Sequence, residues 1–310
     1  MKLSIIIVNW NTREYLRKCL TAIFNQKLSC DTEVIIVDNA SSDGSVAMIK
    51  RLFPQVIVQE NRDNRGFATA NNQALKLAQG EYVLLLNTDT KLLNDALREA
   101  VKYLDDNVRV GALAPKILNA DGSTQHPCYL TYPNILSELA EALFITRYIK
   151  FVTLYGFCVP ASKRPQEIAH STGAAMFIRR AVVEKIGKLD EKFVFSYEDT
   201  DYCRRIRETG YQIVYFPKSE VVHYGGKSKI KLDDHGADMV LTSKYYYYKK
   251  YYYRLGAIIL MLILMLGAVN RICFYSLSRA LINKPASKMI IQDNLAVLKW
   301  IWSKVGTIIK

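Results

Sequence analysis

Three polar clusters in the N-terminal part of the chain each follow an apolar run: Asn9-Trp10-Asn11, Asp38-Asn39-Ala40-Ser41-Ser42-Asp43-Gly44-Ser45 and Asn87-Thr88-Asp89. Asp38 offers a carboxylate that can accept the imide N–H of uracil or thymine. Asp, Asn, Ser and Gly also populate turns, so a turn or cap role suits the same cluster. Asp89, with the Asn87 oxygen two residues earlier, offers hard oxygen ligands to a divalent cation bridging a diphosphate. A plain strand-to-loop turn is the competing reading. Farther on, Glu198-Asp199-Thr200-Asp201 gathers carboxylates ahead of a helical pattern. They suit a helix N-terminus electrostatically. Alternatively, one serves as a general base that deprotonates an acceptor hydroxyl. His223 follows Glu220-Val221-Val222 and precedes Tyr224-Gly225-Gly226. At a strand end facing Asp89 it would be a metal ligand, and elsewhere a structural histidine.

These residues need elements to hold them. Residues 3–8, 34–37, 56–58 and 82–86 are near-continuous apolar runs, as expected of parallel strands covered on both faces. Between the first two, Tyr15, Leu16, Cys19, Leu20, Ile23 and Phe24 recur with helical period, and Asn11 with Glu14 has the look of a capping box. Residues 67–79 predict another helix, stopped by Gly80. Strand–helix alternation predicts a doubly wound α/β sheet, in which ligands bind outside the carboxyl ends of the strands. All three N-terminal clusters sit at such ends. Residues 135–157 predict a helix, 174–178 a strand, 181–186 and 200–209 helices, and 212–216 a strand.

Taken together, these segments resemble the family 2 glycosyltransferases of GT-A fold, most closely a rhamnosyltransferase-like branch. The resemblance is carried by Ser4-Ile-Ile-Ile-Val-Asn-Trp-Asn11, Val37-Asp-Asn-Ala-Ser-Ser-Asp-Gly-Ser45, Asn64-Arg-Gly-Phe-Ala-Thr-Ala-Asn-Asn72 and Leu84-Leu-Leu-Asn-Thr-Asp89. Gly173-Ala-Ala-Met-Phe-Ile-Arg-Arg180, Gly187-Lys-Leu-Asp-Glu191, Phe195-Ser-Tyr-Glu-Asp-Thr-Asp201 and Val221-Val-His223 follow in the expected order. The resemblance implies an inverting transfer from a nucleotide-diphosphate sugar, dTDP-rhamnose or a UDP-sugar, to a lipid-linked or polysaccharide hydroxyl. It implies that Asp38 binds the base, with Asn9 and Asn11 beside it, and that Asn64 and Gly66 approach the ribose or diphosphate. Asp89 matches the last carboxylate of the family's DXD motif, where Mn²⁺ or Mg²⁺ binds. Asn87 replaces the first acid, a departure that leaves a neutral amide. His223 would complete the metal site, and Asp199, beside Glu198, matches the catalytic base. Lys188 stands where the family usually has a small or apolar residue.

Charge is concentrated at the C-terminus. Of a net +13, residues 241–310 supply eleven Lys or Arg against a single acid, Asp293. A basic segment interleaved with apolar sequence suits an anionic membrane surface rather than nucleic acid. Residues 255–269 are apolar but short of the roughly 20 residues of a spanning helix. A helix or hairpin lying in the interface, with Tyr and Lys at headgroup level, is therefore expected. A short crossing and a buried oligomer interface are the alternatives. The six cysteines show no metal-ligand spacing and are expected to be reduced. No secretory signal is read at the N-terminus, so the expected place is the cytoplasmic face of the inner membrane. The expected organisation is a GT-A domain over residues 1–240, with a nucleotide-sugar half (1–120) and an acceptor half (121–240). A helical membrane-associating extension (241–310) follows. Rival readings are a sugar-1-phosphate nucleotidyltransferase, disfavoured because Asn9-Trp10-Asn11-Thr12 is not a Gly- and basic-rich loop, and a catalytically silent membrane scaffold.

Overall fold

In the computed structural model, which describes residues 1–26, 31–125, 128–149, 152–153, 156–158, 162–225, 234–282 and 286–309, the apolar runs become strands of one sheet. The chain runs β1 (Leu3–Asn9), α1 (Arg13–Phe24), β2 (Thr32–Asp38), α2 (Ser45–Leu52), β3 (Ile57–Glu60), α3 (Phe67–Leu77) and β4 (Tyr82–Asn87). Next come β5 (Thr90–Leu92), α4 (Ala96–Asp106), β6 (Val110–Leu118), β7 (Cys128–Tyr129), α5 (Ile135–Ala142), β8 (Val152–Thr153) and β9 (Gly156–Phe157). Then follow β10 (Gln166–Ile168), β11 (His170–Ser171), β12 (Ala175–Arg179), α6 (Arg180–Ile186), α7 (Glu198–Glu208), β13 (Gln212–His223), α8 (Asp234–Ile282) and α9 (Ala286–Ile309).

Two compact units interleave along the chain. The first comprises Met1–Leu130, Val159–Glu191 and Glu198–Lys229. The second comprises Thr131–Cys158, Lys192–Tyr197 and Ile230–Lys310. Composition alone marks only the shift near residue 240.

The first unit holds the sheet, in the order β10-β13-β6-β12-β4-β1-β2-β3, with β5 added on β13. Strands β4, β1, β2 and β3 are parallel, whereas β12 runs antiparallel to both β4 and β6. Both faces are dry. Ile5, Ile7, Leu84 and Leu86 pack on one side, and Ile6, Ile35, Val83 and Leu85 on the other. That double burial is why the runs do not alternate with polar residues. Register then aligns the strand ends: Asn9 pairs with Asp38, and Val8 with Asn87. The order reverses between β1 and β4, which is where an open α/β sheet forms its binding crevice.

Several local expectations give way. Asn11 does not cap α1; it adopts φ 52° and its Oδ1 accepts from the Ser42 backbone N–H at 2.8 Å, while Thr12 stands at the N-cap position. Helix α3 ends at Leu77, not at Gly80. A Cβ on Gly80 would lie 2.5 Å from the Ser4 backbone N, so that glycine is required by close strand packing. Among the described residues of the predicted 135–157 helix, 135–142 alone form an α-helix, with a 3₁₀ turn at Ile145–Arg147 and two short strands beyond. Among the described residues Cys19, Cys128, Cys158, Cys203 and Cys273 form no disulfide, and Cys30 lies outside them.

In the second unit, α8 is broken at Tyr253 (φ 58°, ψ −170°). Part of the tyrosine run before the break is interior: Tyr247 and Tyr248 are fully buried with Phe193, Tyr197 and Leu260, while Tyr245, Tyr246, Tyr251 and Tyr252 are half-buried. Lys244 is buried too, donating to Glu138 Oε2 at 2.9 Å. Beyond the break, Leu255, Leu262, Met265, Leu266, Val269, Phe274 and Leu277 are exposed. The span Ala237–Ser278 is long and apolar enough to cross a membrane, which the fifteen apolar residues read alone were not.

Candidate active site

Three groups of polar side chains meet at the carboxyl end of the parallel strands. The first surrounds Asp38, which is buried at the end of β2. Its Oδ1 accepts from Asn9 Nδ2 at 2.7 Å and its Oδ2 from the Ser41 backbone N–H at 2.8 Å. Each carboxylate oxygen keeps a second acceptor direction, so the group can still receive the N–H of a base. Asn9 Nδ2 also reaches Ser41 Oγ at 3.0 Å, and the Asn11 backbone N–H donates to that hydroxyl at 2.9 Å. Asn39 Nδ2 reaches the Gly66 carbonyl at 3.3 Å, and the Gly66 N–H donates to Asn64 Oδ1 at 3.0 Å. Gly66 holds φ 77°, a left-handed conformation that costs a side-chain-bearing residue, and so turns exposed Asn64 toward the start of α3.

A hydrogen-bond chain joins this group to the second. Thr12 Oγ1 contacts Asn9 Oδ1 at 2.7 Å and Thr88 Oγ1 at 3.0 Å, and Thr88 precedes buried Asp89. His223 arrives from far along the chain because β13 pairs with β5, setting His223 opposite Thr90. The Tyr224 N–H also donates to the Asp89 carbonyl at 2.9 Å. His223 Nε2 lies 3.4 Å from Asp89 Oδ1. That is long for a hydrogen bond. It is close to the spacing of two atoms that share one small cation, about 3 Å for ligands about 2.1 Å from an octahedral ion. Asn87 is half-buried at the end of β4, its backbone N–H donating to the Ala174 carbonyl at 3.0 Å. Among the described residues no cluster of three or more His, Cys, Asp or Glu could hold a metal by itself. A carboxylate oxygen and an imidazole nitrogen nevertheless fit Mn²⁺ or Mg²⁺ when diphosphate oxygens and water complete the shell.

The third group is Asp199, in the first turn of α7. Its Oδ2 accepts from the Gly173 N–H at 2.7 Å and its Oδ1 from the Thr200 N–H at 2.6 Å. Gly173 immediately precedes Ala174, the partner of Asn87, so Asp199 is tied to the same strand ends. A Cβ on Gly173 would lie 3.6 Å from Asp199 Oδ2 and 3.9 Å from Phe67 at the start of α3. Burial raises the Asp199 carboxyl above its ordinary value, against the pull of these hydrogen bonds. Neighbouring Glu198 is more deeply buried. Desolvation, followed by the Asp199 charge, pushes it up to about 8, and its Oε2 has no hydrogen-bond partner among the described residues. Of the two, Asp199 is the one whose carboxylate is held by backbone N–H donors, which favours the charge there over Glu198.

This has a consequence for stability. Glu198 binds its proton more tightly folded than unfolded, so its stabilising effect is complete below about pH 4.5 and is lost as pH rises through about 8. We expect Glu198→Gln, which cannot ionise, to lessen that decline and to melt a few degrees above wild type at pH 8.5. Thermal melts between pH 5 and 8.5 test this. Parallel curves for the two proteins would contradict the assignment.

A family model described as glycosyl transferase family 2 matches residues 4–187. The chain belongs to this family. It is 25% identical over 244 residues to the N-acetylglucosaminyl-diphospho-decaprenol L-rhamnosyltransferase of Mycobacterium tuberculosis, covering 73% of this chain and 77% of that one. It is 27% identical over 234 residues to the uncharacterized protein y4gI of Sinorhizobium fredii, covering 73% of this chain but only 25% of the length of that protein. The mannosyltransferase PcManGT of Pyrobaculum calidifontis, solved with GDP-Man and Mn²⁺, superposes with a TM-score of 0.56 at 16% identity, over 98% of this chain and 86% of that one. The fold is therefore GT-A, and the nucleotidyltransferase alternative is set aside. The family match ends before Asp199 and His223, whose placement rests on the contacts above. Sequence reading missed Ser41, Thr12 and Thr88 as members of the site, and Gln125, whose Oε1 lies 3.2 Å from His223 Nδ1. Ser41 and Thr88 stood inside the flagged clusters and Thr12 one residue beyond the first. Lys188, the family departure, is exposed and pairs with Glu191 at 3.3 Å.

Proposed function

We propose that this family 2 glycosyltransferase transfers a sugar, with inversion, from a nucleoside-diphosphate donor to a hydroxyl of a lipid-linked glycan at a membrane surface. The observation that carries the reading is the convergence of Asp38, the Asp89–His223 pair and Asp199 on one edge of the sheet. Asp38, braced by Asn9 and Ser41, accepts from the base and favours the imide of uracil or thymine. The start of α3, which has no side-chain cap, presents backbone N–H groups beside Asn64 and Gly66 toward the diphosphate. Asp89, His223 and Asn87 would hold the divalent cation, which supplies Lewis-acid stabilisation of the leaving diphosphate when bound. Asp199 takes the proton from the acceptor hydroxyl as that oxygen attacks the anomeric carbon from the opposite face. Its two oxygens are held by the Gly173 and Thr200 N–H groups, while Glu198, buried beside it, holds its proton more tightly than usual. No covalent sugar–enzyme intermediate is required.

The rhamnosyltransferase relative favours dTDP-rhamnose as donor, with UDP-sugars as the next class. Its name also specifies a polyprenyl-diphosphate acceptor, which suits attachment through the exposed apolar surface of α8 and its basic surroundings. A cytoplasmic-face location follows from the use of nucleotide sugars. The test is nucleoside-diphosphate release from a panel of dTDP-, UDP- and GDP-sugars, with Mn²⁺ and with EDTA, in membranes washed at high salt. Release from one donor only, abolished by EDTA and retained in the washed membranes, is expected. Metal-independent turnover, or loss of the protein into the salt wash, would overturn the corresponding part of the reading.

A further inference from the structure

We propose that Gln125 is a positioning residue that fixes His223 as the Nδ1–H tautomer and thereby turns the Nε2 lone pair toward the cation site on Asp89. This rests on the metal-site reading above. Two contacts carry it. Gln125 Nε2 donates to the His223 backbone carbonyl at 2.8 Å, and Gln125 Oε1 lies 3.2 Å from His223 Nδ1. A carbonyl oxygen can only accept, so the amide nitrogen must face it and the amide oxygen must face the ring. The amide oxygen can only accept in its turn, so Nδ1 carries the hydrogen. In the neutral ring Nε2 is then left with its lone pair, on the side 3.4 Å from Asp89 Oδ1. Metal-binding histidines characteristically donate their second ring N–H to a carbonyl or carboxylate in this way.

The amide is itself held firmly. The Gln125 backbone N–H donates to the Ile117 carbonyl at 2.9 Å, returning the chain onto β6. The preceding turn is closed by Asn119 N–H to the Ser123 carbonyl at 2.7 Å, and by Ser123 N–H and Oγ to Asp121 Oδ1 at 2.9 and 2.6 Å. Gly122, at φ 84°, makes that turn possible. Because β6 pairs with β13, with Leu118 opposite Val222, the returning residue lands beside His223.

Two measurements test this. Nitrogen-15 NMR of histidine-labelled wild type, with the His223 signals assigned by their loss in His223→Ala, should show a protonated Nδ1 and an unprotonated Nε2. The opposite tautomer would overturn the proposal. Mn²⁺ affinity is then read from the free-ion EPR signal in the presence of UDP or dTDP, corrected for nucleotide alone. Gln125→Met, nearly isosteric but unable to accept from Nδ1, should weaken Mn²⁺ binding about 10–100-fold. Gln125→Glu, which keeps the acceptor but loses the donor to the backbone, should bind Mn²⁺ as wild type does or more tightly. Wild-type affinity in Gln125→Met, or equal loss in both variants, would reduce Gln125 to a strand-end brace. If wild type itself showed no protein-bound Mn²⁺, or His223→Ala left it unchanged, the metal-site reading would fall and the inference with it.

Discussion

Asp199→Asn should lower the turnover number by about two to four orders of magnitude, the usual worth of a positioned general base, while leaving nucleoside-diphosphate binding intact. The substitution keeps the volume of the side chain and removes its basicity. It also meets a local difficulty. Both Asp199 oxygens accept from backbone N–H groups, of Gly173 and Thr200, and asparagine can offer only one acceptor to the two donors. Its amide will therefore rotate or lose one contact, and α7 will be modestly less stable at its first turn. Binding of UDP or dTDP by calorimetry, set beside turnover, separates the two effects, because among the described residues the proposed base-binding group around Asp38 shares no hydrogen-bond partner with Asp199. Equal loss of binding and turnover would point to a collapsed site and count against the base assignment. As the proposed base, Asp199 with its raised proton affinity should place the acid limb of the wild-type pH–rate profile higher than an exposed aspartate would.

How much of this could be read from the sequence depends on how local each feature is. Asp38, Asn87 and Asp89 were visible because β2 and β4 are apolar on both faces, so the first polar residue marks the strand end without ambiguity. The alignment of those ends also followed from parallel pairing. His223 was a different matter. Its place beside Asp89 depends on β5 pairing antiparallel with β13, a contact between residues more than a hundred positions apart, so the residues alone leave a ligand and a structural histidine as alternatives. Gln125 left no trace, being a single polar residue after a tight turn, with a function set by what β6 pairs with.

The misreadings have equally specific causes. Asn11 and Glu14 fit a capping box by spacing, yet the Asn11 side chain is taken by the loop after β2, a partner that no local window contains. In residues 135–157 the apolar count continues past Ala142, but a helix needs a continuous face to bury. The chain instead turns back so that the Phe157 N–H donates to Thr131 Oγ1 at 3.0 Å, and Gly156 takes φ 116°, with no room for a Cβ against the Thr131 carbonyl. The expectation of Tyr and Lys at headgroup level takes in the tyrosines at 245–248, which lie just before apolar sequence. Two of them instead form the interior of the second unit, where the Tyr247 and Tyr251 rings meet at a 52° tilt with centroids 5.0 Å apart. Aromatic residues supply large apolar area with few rotors, and that serves a core as well as an interface.

Asp89→Asn should abolish the response of the enzyme to Mn²⁺ and reduce turnover about 10²–10⁴-fold, since a cation that neutralises a leaving diphosphate contributes several kcal/mol. Asn87 makes this position unusually decisive. Where two acids flank a metal, loss of one leaves a charge behind. Here the strand end already carries a neutral amide, so the variant would leave His223 and two amides, with no anionic protein ligand. Removal of the His223 imidazole should cost less, because Asp89 retains its charge. The fold should survive in Asp89→Asn, since the backbone contact from Tyr224 to the Asp89 carbonyl and the β5–β13 pairing do not involve the carboxylate. Mn²⁺ titration of turnover and of nucleoside-diphosphate affinity, with thermal melting as the control, distinguishes the cases. Folded Asp89→Asn protein with a wild-type Mn²⁺ dependence would show that the cation is held elsewhere, and would leave the buried carboxylate as a brace for the turn between β4 and β5.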